Sequence, residues 1–158
     1  MSSFKNFLVE LSACSDAKQW VNDKTWLESF SSCERGDWML WLYKKTMKND
    51  EESLRRLTLA KAECAKTVLH LMKDQRSKTA IEIAIKFGNG EATREELDAA
   101  AYAAAYAAYA AADADADAAD DAYAAAYAAY ARKKNQQETA DICRRILPIE
   151  AWNIPADL

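Results

Sequence analysis

From Ala99 to Ala131 every residue is Ala, Tyr or Asp, and no other part of the chain limits the fold so severely. The run holds 22 Ala, 6 Tyr and 5 Asp, with no Gly, Pro or β-branched residue. Ala has the highest intrinsic helix propensity, because it loses no side-chain entropy and buries no polar group, so the run is dictated to be helical. Tyr102, Tyr106, Tyr109, Asp113, Asp117, Asp120, Tyr123, Tyr127 and Tyr130 follow one another at steps of three or four residues. Such steps keep to one face of a helix. One stripe therefore reads Tyr, then Asp, then Tyr, on a cylinder otherwise covered with methyl groups.

Whether residues 93–134 form one helix or a hairpin is left open by the pattern. A single helix of that length would extend about 60 Å, whereas a compact domain of this size measures about 40 Å across. Asp is a weaker helix former and a good N-cap, so residues 112–121 are the natural place for a reversal. A reversal there would let the two Tyr triads face each other.

A core must come from elsewhere, since Ala contributes little burial energy. Phe4, Phe7, Leu8 and Leu11 stand at helical spacing, and Cys14–Trp20 follows as a short helix with Ser15 as its N-cap. Thr25 and Glu28 have capping-box spacing, as do Thr93 and Glu96. Asp37 is placed to cap a helix that sends Trp38, Trp41 and Leu42 into the core, where Trp20 and Trp26 are also expected. A further helix is expected from about Glu51 to about Lys73, burying Leu57, Cys64, Val68 and Leu71, with Glu63, Lys66 and His70 facing water. An apolar helix over residues 77–87 ends at Gly88, Asn89 and Gly90. Arg132–Gln137 either continues the preceding helix or breaks it, and Ile142, Cys143, Ile146 and Leu147 form a last amphipathic set before Pro148. No segment alternates as a strand does. The expected fold is all-α: one domain of 158 residues, with a Trp/Leu-rich helical core over 1–92, the Ala/Tyr/Asp helix or hairpin over 93–134, and a C-terminal helix and tail over 135–158.

Net charge is -4 at pH 7, which argues against general nucleic-acid binding. Residues 1–98 carry 16 basic and 16 acidic side chains, and residues 99–158 carry 5 and 9, so the Ala-rich part supplies the whole excess. A partner steered by charge should be basic there. The four cysteines lack metal-ligand spacing and there is one His, so neither a metal nor another cofactor is expected. The start of the chain has no cleavage signature, and five Asp exclude the Ala-rich run from a bilayer. A cytoplasmic protein with reduced thiols, away from membranes, is the expectation.

One His and no patterned Ser or Cys leave no nucleophile–base pair to argue for, so no enzymatic activity is expected. The stripe has two readings. Either its rings and carboxylates merely edge a helix packed through its Ala faces, or they form a groove. Tyr brings binding area at low entropic cost, and Asp beside it favours a cationic or donor-rich target.

The order of several motifs carries a resemblance: Ala13–Trp20, then Cys33–Leu42 with Gly36, Asp37, Trp38 and Trp41, then Ala62–Leu71, then Ala80–Ala84 with Gly88 and Glu91, then the Ala-rich run and Ala140–Pro148. In this order the chain resembles a family of small alanine-rich immunity proteins, found in bacterial toxin–immunity loci and among phage genes. The resemblance implies neutralisation by binding: of a protein toxin, of a defence effector, or of a small defence messenger. It supplies no site residue. Two modes are therefore expected, with a second copy of the chain as a further partner. One is occlusion of a protein by the Tyr/Asp stripe, as an immunity protein or phage counter-defence inhibitor. The other is a sponge for a nucleotide-like messenger, with a deep pocket of stacked Tyr near a base such as Arg132.

Overall fold

The computed structural model describes residues 3–112, 122–155 and 157–158, with side chains described outside 106–130. It is all-α. The helices are α1 (Ser3–Glu10), α2 (Ser15–Val21), α3 (Trp26–Ser32), α4 (Gly36–Thr46), α5 (Glu51–Lys66), α6 (Gln75–Gly88), α7 (Arg94–Ala112) and α8 (Ala122–Ile146). Short 3₁₀ turns occupy Leu69–Leu71 and Ile149–Ala151, and no strand occurs among the described residues. None of these helices is long and apolar enough to cross a membrane.

Both capping boxes form as their spacing dictates. Glu28 N–H donates to Thr25 Oγ1 at 3.3 Å while Thr25 N–H donates to Glu28 Oε2 at 2.8 Å. The Thr93–Glu96 pair repeats this at 3.2 and 2.8 Å. Gly90 ends the α6 segment with φ of 81°, a left-handed conformation that favours glycine. Two other starts differ from expectation. Cys14 rather than Ser15 is the N-cap of α2, and Arg35 rather than Asp37 is that of α4. Neither makes a side-chain cap bond; Asp37 instead sits in the first turn and takes the Arg35 guanidinium.

The α5 helix also stops at Lys66, short of the expected Lys73. Thr67 Oγ1 donates to Cys64 O at 2.7 Å and accepts from Asn135 Nδ2 at 2.7 Å, which anchors the turn to α8. Leu71, expected on the buried face, is 67% exposed as a result. By contrast, α8 runs unbroken through Arg132–Gln137 to Ile146. That leaves residues 113–121, where a reversal was considered, outside the described residues.

The layers follow from which faces are apolar. The α5 helix packs on α4, α6 and α8, while α7 packs on α6 and α4 on α8. The largest fully buried side chains are Tyr43, Phe4, Phe87, Leu147 and Cys143. The α4–α8 crossing is tight because Gly36 carries no side chain: a Cβ there would lie 2.7 Å from the Thr139 carbonyl carbon. Around this crossing, α1–α3 and the C-terminal turn form an aromatic end of the molecule.

Candidate functional site

Three short helices and two turns of positive φ shape that aromatic end. Ser12, with φ of 60°, closes α1 and turns the chain so that Ala13 N–H reaches Leu8 O at 2.9 Å. Asn22, with φ of 46°, does the same after α2. With ψ of -107°, Asn22 lies outside the left-handed helical region that Asn ordinarily tolerates. The turns let α1, α2 and α3 fold round the start of α4, and the C-terminus is tied in where Trp26 N–H donates to Leu158 O at 3.0 Å.

The result is a cavity of about 590 Å³ lined by Trp20, Trp26, Trp38, Trp41 and Trp152, which are all the tryptophans of the chain. Trp152 is buried, and its Nε1 donates to Leu147 O at 2.9 Å. Its ring meets Trp26 at 5.1 Å, and Trp26 meets Phe4 at 5.4 Å and Phe30 at 5.4 Å. Trp20 and Trp38 stand edge to face at 6.0 Å. The other four indoles are only half-buried, so their faces form wall rather than filled interior.

Cations of the chain lie against three of these rings, and one of them, Arg35, is itself part of the cavity lining. Lys24 Nζ lies 4.2 Å from the Trp20 ring centroid, Arg35 Cζ 4.4 Å from that of Trp38, and Lys45 Nζ 5.9 Å from that of Trp41. Arg35 also forks onto Asp37, with Nε to Oδ1 at 2.8 Å and Nη2 to Oδ2 at 2.6 Å. These bonds hold the Asp37 carboxyl below its ordinary range and raise the Arg35 guanidinium, so both stay charged and the pair is neutral as a unit. Burial pushes the Cys33 thiol up, which disfavours a nucleophilic thiolate at that position. Ser29, 4% exposed, also lines the cavity, and its buried hydroxyl has no hydrogen-bond partner among the described residues.

No family model, curated protein or solved structure matches the chain.

Of the stripe residues singled out by the sequence, Tyr102 alone has a described side chain, and it does not line the cavity. Tyr102 is on α7 and is 79% exposed, the most exposed large hydrophobic residue among the described ones. Tyr106 and Tyr109 are also on α7, and Tyr123, Tyr127 and Tyr130 on α8, with their side chains outside the described residues. Asp113, Asp117 and Asp120 lie outside the described residues altogether. The pocket expected from stacked Tyr near Arg132 falls largely on side chains outside the described residues, and the Trp-walled cavity near Arg35 is a separate space. The signal that could have found it is the crowding of Trp20, Trp26, Trp38 and Trp41 into 22 residues together with Lys24 and Arg35. Helical spacing assigned those rings to the core, and all four do pack against it while also lining the cavity. His70 is exposed on its 3₁₀ turn and takes no part in the cavity.

Proposed function

We propose that this chain is a non-enzymatic binding protein that neutralises a small molecule by sequestering it in the tryptophan-walled cavity. The observation that carries the reading is the convergence of all five tryptophans on one open space of about 590 Å³. Ligand sites typically span about 300–1,000 Å³ and are mostly apolar with a few placed polar groups. Here those polar groups are the Ser29 hydroxyl and the Arg35–Asp37 fork. A protein meant to bind without reacting needs no activated nucleophile in such a wall, and the raised Cys33 thiol accords with that. The likeness to immunity proteins points the same way, toward removal of a harmful agent or signal by binding.

A second reading, occlusion of a protein target through the Tyr/Asp stripe, is favoured by the 79% exposure of Tyr102. Native mass spectrometry of the protein purified from its natural or an infected host separates the two. Sequestration predicts a small added mass that is released on denaturation and is missing from a folded Trp38→Ala variant. A second protein at fixed stoichiometry would favour occlusion instead, and bare protein throughout would count against sequestration.

A further inference from the structure

We infer that the ligand of the tryptophan cavity is an uncharged, planar heteroaromatic molecule of about nucleoside size that hydrogen-bonds the Ser29 hydroxyl; this rests on the sequestration reading above. Indole walls reward flat rings, which stack or meet them edge to face. An aliphatic chain would fill the same volume without those geometric gains.

Aromatic walls also attract cations, but here the Trp38 face is already taken by a cation of the lining. Arg35 lies against Trp38 within the cavity lining, whereas Lys24 and Lys45 lie against Trp20 and Trp41 without lining the cavity. A cationic ligand would have to displace the Arg35 guanidinium from the Trp38 face. A phosphorylated ligand fares no better. The Arg35 fork, the recognition element it would need, is engaged by Asp37 at 2.8 and 2.6 Å. Lys24 Nζ donates to the Trp20 carbonyl. Binding a phosphate would expose Asp37 to the incoming anion.

Ser29 supplies the specific polar contact. Its helix neighbours Ser31 and Ser32 donate back to Leu27 O at 2.8 Å and Glu28 O at 2.6 Å. The Ser29 hydroxyl makes no corresponding bond, although the Ser29 N–H does reach Thr25 O at 3.0 Å. A buried hydroxyl without a partner is costly and rare. A ring nitrogen, carbonyl or N–H of the ligand would satisfy it; a purely hydrocarbon ligand would not.

The test uses isothermal titration of the full chain with matched probes: indole against tryptamine, adenosine against AMP, and acridone against the non-planar 1-adamantanol. The neutral planar member of each pair should bind, at a Kd on the order of 10 μM to 1 mM, and its counterpart about tenfold or more weakly. Ser29→Ala should weaken adenosine binding about tenfold while leaving the melting temperature equal or higher, since an orphaned hydroxyl is removed. Tryptamine, AMP or 1-adamantanol binding as tightly as its partner would overturn the assigned ligand class and leave the cavity as the site. Unchanged adenosine affinity in Ser29→Ala would overturn the role of that hydroxyl. Probe binding that survives Trp38→Ala intact, or no binding of any planar probe at about 1 mM, would overturn the cavity reading along with the class.

Discussion

Gly36 is the residue on which the α4–α8 crossing depends. An added Cβ would sit 2.7 Å from both the carbonyl carbon and the Cβ of Thr139, which backbone cannot yield cheaply. Gly36→Ala gains helix propensity of up to about 1 kcal/mol, but overpacking of this kind costs about 1–3 kcal/mol. The expected outcome is net destabilisation in urea unfolding, and a variant as stable as the parent would mean the helices part easily. Asp74 makes a different prediction. Its carboxylate accepts from the Arg76 side chain and backbone N–H, at 3.0 and 2.8 Å for Oδ1. These bonds hold it down from 3.8 to about 2. A folded-state value below the unfolded one gives stability that is fully present above about pH 3.8 and is lost as pH falls through about 2. Asp74→Asn should therefore unfold more easily than the parent at neutral pH, with the gap closing across that acid window in urea titrations. A gap independent of pH would assign the effect to the amide rather than the charge.

At the scale of elements, helix starts were more legible than helix ends. A Thr and a Glu three apart specify a reciprocal pair of local bonds, so the starts of α3 and α7 could be read directly, and both form. Thr25→Ala should cost about 1 kcal/mol in thermal or urea unfolding. It should also loosen α3, which carries Trp26 and Ser29 into the cavity wall. The end of α5 was not legible because it is set by a partner 68 positions away in sequence, Asn135 Nδ2 donating to Thr67 Oγ1. Periodicity has no access to such a contact, so Leu71 was placed on a buried face and is in fact exposed. The caps of α2 and α4 misled for a related reason. Ser15 and Asp37 have the right chemistry, but Asp37 is committed to Arg35.

For the whole molecule, periodicity sufficed for the all-α class and not for the candidate site. Half-buried indoles lining a space and fully buried indoles filling one have the same helical spacing; only the packing of α1–α4 and Trp152 distinguishes them. Arg144 shows how that packing is held. From α8 its Nη1 donates to Phe30 O at 3.1 Å and Cys33 O at 2.7 Å, while Nη2 meets Asp141 at 2.6 Å. The helix that begins in the Ala/Tyr/Asp run thus fastens the end of α3, and both Phe30 and Cys33 line the cavity. Arg144→Leu would leave two carbonyls without their charged donor, a loss of about 1.5–3 kcal/mol for hydrogen bonds of this kind. Arg144→Lys should recover only part of it, because an ammonium cannot hold the carbonyls and Asp141 with the same planar fork. If the cavity wall depends on this clamp, probe affinity should fall with stability in Arg144→Leu and recover in parallel in Arg144→Lys, measured by adenosine titration beside urea unfolding. A loss of stability at unchanged affinity would mean that α1–α4 hold the wall in shape without α8.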